Sequence, residues 1–291
     1  MPEQPKVIRK RIKSVSSTKK ITRTMEMVAT AKLKSAQQRV ASSGPYLEAL
    51  RQLMAEIGAS GVDVSKWPHF EVRPGNRTLL FVITANRGLC GSFNTNLVRL
   101  ARDTYRAKEA EGNDVRLFVA GKKGNNALRF QGFTPERTYI QELTDRPTPD
   151  DAEFFLGELM TPFLENEVDE VLVVYPHWES LGRQPPTLLR LFPIAPEGDV
   201  SGAPGPPPLF EPSAEEILDR LLPLYGRQVM YSVLAEAVAS EQVARRMAMK
   251  LASDNASDMV NLLTRQYNRA RQALITKEIA EILGGAEALK E

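Results

Sequence analysis

A few places in this sequence hold residue types that do chemistry in other proteins. Cys90, in "NRGLCG", is the only thiol in 291 residues. A nucleophilic thiol needs a partner base, and the neighbouring sequence supplies none. The pattern reads as a packing cysteine at a tight strand-to-helix turn, with Gly88 and Gly91 fitting the turn. His69 and His177 are the only histidines, and neither has metal-ligand spacing beside it. "GKKGNN" (121–126) has the wrong spacing for a phosphate-wrapping G-x-x-x-x-G-K-[ST] loop. No G-x-G-x-x-G follows the first strand, and G-x-S-x-G is absent. No catalytic residue, cofactor or metal is therefore expected. One cysteine cannot form an intrachain disulfide, which fits a reducing compartment.

The elements around these residues fall into three segments. Residues 6–43 contain neither Gly nor Pro. Ile8, Ile12, Val15, Ile21, Met25 and Val28 recur there at mostly helical spacings. The pattern resumes after Gly44-Pro45 through Leu47, Leu50, Met54 and Ile57, with Pro45 expected to kink or restart the helix. In the middle, "TLLFVIT" (78–84), "VRLFVAG" (115–121) and "EVLVVYP" (170–176) are short branched apolar runs. Helical stretches at 96–110 and 151–164 separate them, so an at least partly parallel α/β sheet is expected. "PTLLRLFPI" (186–194) reads as an edge strand, because prolines flank it. "APEGDVSGAPGPPP" (195–208) reads as loop or linker.

Ser213, followed by Glu215 and Glu216, reads as a capped helix start. Pro223 and Gly226 are expected to disturb its first turns. Residues 227–283 then lack both Gly and Pro, enough for a helix of roughly 85 Å. A compact domain of this size has a radius of gyration under roughly 20 Å, so the helix is expected to project beyond any globular body. A lone helix of this kind is insecure in water. The economical solution is an antiparallel coiled coil of the two chain ends beside an α/β domain. The expected divisions are 1–58, 75–210 and 211–291, with the C-terminal tip outrunning its partner.

Charge is unevenly placed. From Lys6 to Arg39, eleven basic residues face Glu26 alone, whereas acids dominate from Glu136 to Glu216. The basic density points to an anionic partner for the first helix. The overall charge of +2 does not itself demand nucleic acid. No apolar run reaches the roughly 18 residues of a membrane span, and the basic start lacks an apolar signal core.

Several stretches carry a family resemblance. "IRKRIKSVSSTKKITRTMEMVATAKL", with M-E-M-V-A at 25–29, resembles the N-terminal helix of the gamma subunits of F-type ATP synthases in their bacterial form. "RGLCG" with the following "FNTN" is similar to their first strand-to-helix loop, and "LFEP" (209–212) to their L-Y-E-P. "SEQVARRMAMKLASDNASDM" and "YNRARQALITKEIAEILGGAEA" resemble the C-terminal helix. The resemblance implies a long antiparallel coiled coil of the N- and C-terminal helices plus a Rossmann-like α/β domain, and a non-catalytic central rotor shaft. It would turn inside a ring of alpha and beta subunits, with its foot on the epsilon subunit and a membrane c-ring. No nucleic acid and no direct membrane span are implied. Location would be peripheral, on the cytoplasmic face of the bacterial inner membrane. By motif, Met25 matches a bearing residue, and Arg271 with Gln272 the pair that latches onto a beta loop. Thr276, Glu278 and Glu281 lie on the matching turns, and Leu209, Phe210 and Glu211 match the foot. Gly284-Gly285 doubles the family's usual single glycine and is expected to fray the tip.

Two other classes make different predictions. A basic helical nucleic-acid binder, or a coiled-coil scaffold, would use the 6–39 face; the nucleic-acid binder would bind phosphates in a strongly salt-dependent way. A Rossmann-type enzyme would bind a nucleotide, for which the glycine fingerprint is missing.

Overall fold

The computed structural model describes residues 4–59, 62–194, 210–211 and 213–288. They fall into two compact units, one from Met1–Ala29 with Arg245–Glu291 and one from Thr30–Ala244. Two long helices contribute to both: α1, Pro5–Ala59, and α5, Ala214–Ala288. The expected cap is present, since the Ser213 hydroxyl accepts from the Glu216 N–H at 3.2 Å. Glu215 and Glu216 occupy the first turn, where the helix dipole favours them. α1 continues through Pro45, and α5 through Pro223, Gly226 and Gly284-Gly285; none of these residues breaks its helix. A helical proline removes one N–H and crowds a carbonyl, but packing outweighs that local cost. Leu47 and Leu50 are buried beyond Pro45, and Leu221 and Leu222 before Pro223. Gly226 admits close approach, because a Cβ there would lie 3.1 Å from Leu156. The 195–208 loop lies outside the described residues.

The buried face of α1 repeats every seven residues. Ile8, Thr22, Ala29, Ala36, Ser43, Leu50 and Ile57 are buried on one such series, with Val15 half-buried between the first two. Leu33 and Leu47 follow Ala29 and Ser43 by four residues and are also buried. Alternating spacings of four and three mark a coiled-coil seam. The apolar series read from the sequence is therefore only partly right. Ile8 is buried, and Ile12, Val15 and Met25 are half-buried, but Ile21 and Val28 are 60% and 52% exposed. Thr22 and Ala29 hold the seam instead, since small side chains let helices approach closely. In the first unit, α5 answers with Met249, Ser253, Ala256 and Leu263 buried, and Val260, Tyr267 and Ala270 half-buried. Lys19 Nζ donates to Ser257 Oγ there at 3.0 Å. In the second unit Gln228 Nε2 donates to the Ser43 carbonyl at 3.1 Å. Partner numbers fall along α5 as they rise along α1, so the helices run antiparallel.

The second unit also holds a five-stranded sheet. Its strands are β1 (Arg77–Ile83), β2 (Asp114–Ala120), β3 (Arg137–Tyr139), β4 (Glu170–Pro176) and β5 (Pro186–Phe192). Their order is β3-β2-β1-β4-β5, with β5 alone antiparallel. Helices α2 (Phe93–Ala110), α3 (Lys122–Phe130) and α4 (Pro149–Leu164) make the crossovers. Period-two alternation divides the core. Leu80, Val82, Leu117, Val119, Leu172 and Val174 pack with α2 and α3. Leu79, Phe81, Phe118, Val171 and Val173 face α4 and the lower parts of α1 and α5. The acidic stretch is largely paired within this unit. Arg116 bridges Glu136 and Glu167, and Arg137 and the Tyr139 hydroxyl both reach Glu158. Asp169, 5% exposed, accepts from Arg77 Nη2, Nε and backbone N–H at 2.6, 3.0 and 2.9 Å.

Two outcomes follow. Ala36→Leu should lower stability by about 1–3 kcal/mol through overpacking, because Ala36 is fully buried against Val238 and Ala239. Ile21→Ala should stay within about 0.5 kcal/mol. Urea unfolding of the purified chain checks both, and a larger loss at Ile21 would refute the seam.

The second concerns acid. The Arg77 hydrogen bonds hold the Asp169 carboxyl below its usual range. A depressed folded value gives stability that is fully present above the unfolded value of about 3.9. It is lost as pH falls through the folded value. Asp169→Asn should therefore lose less stability than wild type between about pH 6 and pH 3. The residual acid sensitivity should come from Glu136 and Glu158. Arg116 hydrogen bonds lower the first. Burial raises the second, but the bonds from Tyr139 and Arg137 outweigh it. Thermal melts across that range give the comparison.

Candidate functional site

Open α/β sheets bind ligands beyond the carboxyl ends of their strands, where strand order reverses. Here that point lies between β1 and β4. The chain's own atoms occupy it. At the neighbouring turn from β2 into α3, the first three N–H groups of α3 are also taken. Lys122 N donates to Asn86 Oδ1, Lys123 N to the Ala85 carbonyl and Gly124 N to Thr84 Oγ1, all at 3.0 Å. The glycines of "GKKGNN" serve this closeness. A Cβ at Gly121 would lie 2.2 Å from the Thr84 carbonyl, and one at Gly124 would lie 2.4 Å from Thr84 Oγ1. Gly121 also has φ +100. On the other side Ala237, Val238 and Glu241 of α5 close over Ile83, Thr84 and Phe93, leaving a cavity of about 10 Å³. Small-molecule sites usually offer about 300 Å³ or more.

α5 is also clamped at the end of β4. The Glu236 carboxylate accepts from the Trp178 N–H at 2.8 Å and the Ser232 hydroxyl at 3.1 Å, and lies 2.8 Å from His177 Nδ1. Burial, and then the charge of Glu236, push the nearby Tyr175 hydroxyl above its ordinary range. His177 is thus a structural partner of a carboxylate, and sequence offered no signal for it because Glu236 lies 59 residues away. His69 packs beside Phe192, and burial lowers its pKa. Cys90 is 2% exposed, and its sulfur accepts from Asn94 Nδ2 at 3.1 Å. The turn differs from expectation in one residue: the left-handed positions are Leu89 (φ 61) and Gly91 (φ 58), not Gly88.

The remaining candidate residues lie on the first unit and at the start of α5. Met25 is half-buried on α1, one residue before Glu26, which pairs with Arg23. The α5 seam ends at Ala270, and every residue from Arg271 to Leu283 is exposed. Arg271, Gln272, Thr276, Glu278 and Glu281 all sit in that stretch. The Thr276 hydroxyl donates to the Gln272 carbonyl at 3.0 Å, and Lys277 pairs with Glu281 at 3.4 Å. Met25 is on the other helix, α1. Phe210 packs against the main core and Glu211 is exposed, while Leu209 lies outside the described residues. No helix among the described residues is long and apolar enough to cross a membrane.

Comparison with known proteins agrees with this architecture. Residues 4–289 match the family model described as ATP synthase. The chain is 42% identical to the ATP synthase gamma chain of Gemmatimonas aurantiaca, covering 98% of both proteins. It is 39% identical to that of Leptospira biflexa, covering 98% of this chain and 99% of the relative. Among solved structures, a chain of the Euglena gracilis mitochondrial ATP synthase, in its OSCP/F1/c-ring structure, shares the fold with a TM-score of 0.69 at 19% identity. That match covers 98% of this chain and 94% of the other. Close relatives over nearly the whole length, two long terminal helices and a filled nucleotide crevice agree, and the chain belongs to the gamma chains of ATP synthase, a non-catalytic subunit of the complex.

Proposed function

We propose that the first unit is a shaft turning within a ring of alpha and beta subunits. The observation that carries this is the end of the α5 seam at Ala270, followed by thirteen exposed residues, 271–283. A surface that meets several partners in succession must not adhere strongly at one angle. Arg271, Gln272, Thr276, Lys277, Glu278 and Glu281 put polar groups around this stretch, between the exposed apolar side chains of Leu274, Ile275, Ile279, Ile282 and Leu283. Arg271 and Gln272 engage a beta loop; Thr276, Glu278 and Glu281 extend the contact surface, and Met25 bears on beta levers from α1. The foot uses Leu209, Phe210 and Glu211 toward the epsilon subunit and the membrane c-ring. This reading is supported by the likeness in fold to chains from the central stalk with c-ring and from the rotor of mitochondrial ATP synthases. The functional divisions are 1–58, 75–210 and 211–291. The location is peripheral, on the cytoplasmic face of the bacterial inner membrane.

Coupling then follows from differential contact. A shaft that touches three beta subunits unequally biases each toward an open or a closed state. Moving a site from 1:99 to 99:1 takes about 5.5 kcal/mol of preference. Five or six hydrogen bonds and ion pairs worth about 1 kcal/mol each supply it. Arg271→Ala combined with Gln272→Ala should lower ATP hydrolysis and proton pumping several-fold in membranes, with subunit content unchanged. Removing residues 285–291 should leave most of the coupled activity. Wild-type rates in the double variant, or lost assembly in the truncation, would show that the working contacts lie elsewhere.

A further inference from the structure

Between α1 and the loop that precedes α4 lies an open cavity of about 440 Å³. Lys32, Ser35 and Arg39 line it from one face of α1, at helical spacings of three and four, and Thr144, Asp145 and Arg146 line it from the loop. Ala31 is its one apolar lining residue among those described. Lys32 Nζ pairs with the Asp145 carboxylate, which offsets the only acid in the lining. Two guanidinium groups remain. Arg39 Nη1 donates to Ser35 Oγ at 3.0 Å, which fixes the plane of its fork. Its Nε is buried and has no hydrogen-bond partner among the described residues. Arg146 is exposed, and no acidic side chain among the described residues pairs with it.

A buried N–H without an acceptor is destabilising, and so are two like charges around one hollow without a counter-ion. Both faults are removed by the same kind of molecule. The lining carries donors and positive charge, its apolar surface comes from Ala31 and the aliphatic parts of the longer side chains, and it offers no aromatic face to hold a nucleobase. Guanidinium forks match the oxygens of phosphate groups. At roughly 30 Å³ per water, the volume exceeds one phosphate and admits two phosphoryl groups with their hydration. We propose that this cavity is a binding site for a small phosphate anion of the diphosphate class. Arg39 and Arg146 grip its oxygens from opposite walls, and Lys32 turns from Asp145 toward it. The site uses none of the contacts assigned to the shaft, so it stands or falls apart from them.

The test is calorimetric titration of the purified full chain at low ionic strength with diphosphate. Inorganic phosphate, sulfate and a glutamate-rich peptide serve as comparisons. Diphosphate should bind one to one and at least tenfold more tightly than phosphate or sulfate. Arg146→Ala, at an exposed position, should weaken it at least tenfold with the circular dichroism spectrum unchanged, and Arg146→Lys should weaken it less. Asp145→Asn should strengthen it several-fold by removing the competing carboxylate. Three results would overturn the proposal. One is the absence of saturable diphosphate binding. Another is binding that Arg146→Ala leaves intact. The last is a glutamate-rich peptide that binds through Arg146 more tightly than diphosphate, which would make the cavity a protein-docking face.

Discussion

The seven-residue seam is the constraint on which the rest depends. Each helix draws most of its stability from a packed face rather than from propensity. What is distinctive is the size of the seam residues. Thr22, Ala29, Ala36 and Ser43 on α1, and Ser253 and Ala256 on α5, are buried where a typical coiled coil places Leu or Ile. Small side chains bury less apolar area per contact but bring backbones closer. Larger residues gather where the helices meet the sheet, at Leu47, Leu50 and Ile57, and at Leu218, Leu221 and Met230.

The sheet has the topology of a nucleotide-binding fold and uses its usual crevice for packing. α3 delivers its first N–H groups to Thr84, Ala85 and Asn86, and α5 seals the opening with Ala237 and Val238. Glu236 then ties α5 to the end of β4 through Trp178 and His177. A place evolved elsewhere for a ligand here holds a helix.

Much of this was legible in the sequence. The three long apolar runs are strands, because branched residues flanked by polar turns have little alternative, and β5 is the edge that its prolines implied. The helices run on through Pro45 and Pro223 because proline and glycine propensities are local, whereas Leu47, Leu50 and Leu222 are held by partners distant in sequence. The seam was misread for a similar reason. Hydropathy marked Ile21 and Val28, but close helix approach selected Thr22 and Ala29. β3 was missed because three residues, Arg137–Tyr139, leave no periodicity to read. The candidate contact residues came from motif resemblance alone. Periodicity could mark them only by default, as positions that belong to no stripe.

The exposed stretch after Ala270 has a thermodynamic consequence. Its backbone hydrogen bonds are all internal to the helix, and no side chain there is buried against another element. In the free chain its order rests on propensity and on pairs such as Lys277 with Glu281, each worth only about 0.2–0.5 kcal/mol. Its amides should therefore exchange with solvent far faster than those beside Leu263. A surrounding protein that contacts only the helical form adds its binding free energy to the helix by mass action. The stiffness of the tip is then a property of the assembly, conferred on a segment that the chain by itself leaves close to melting.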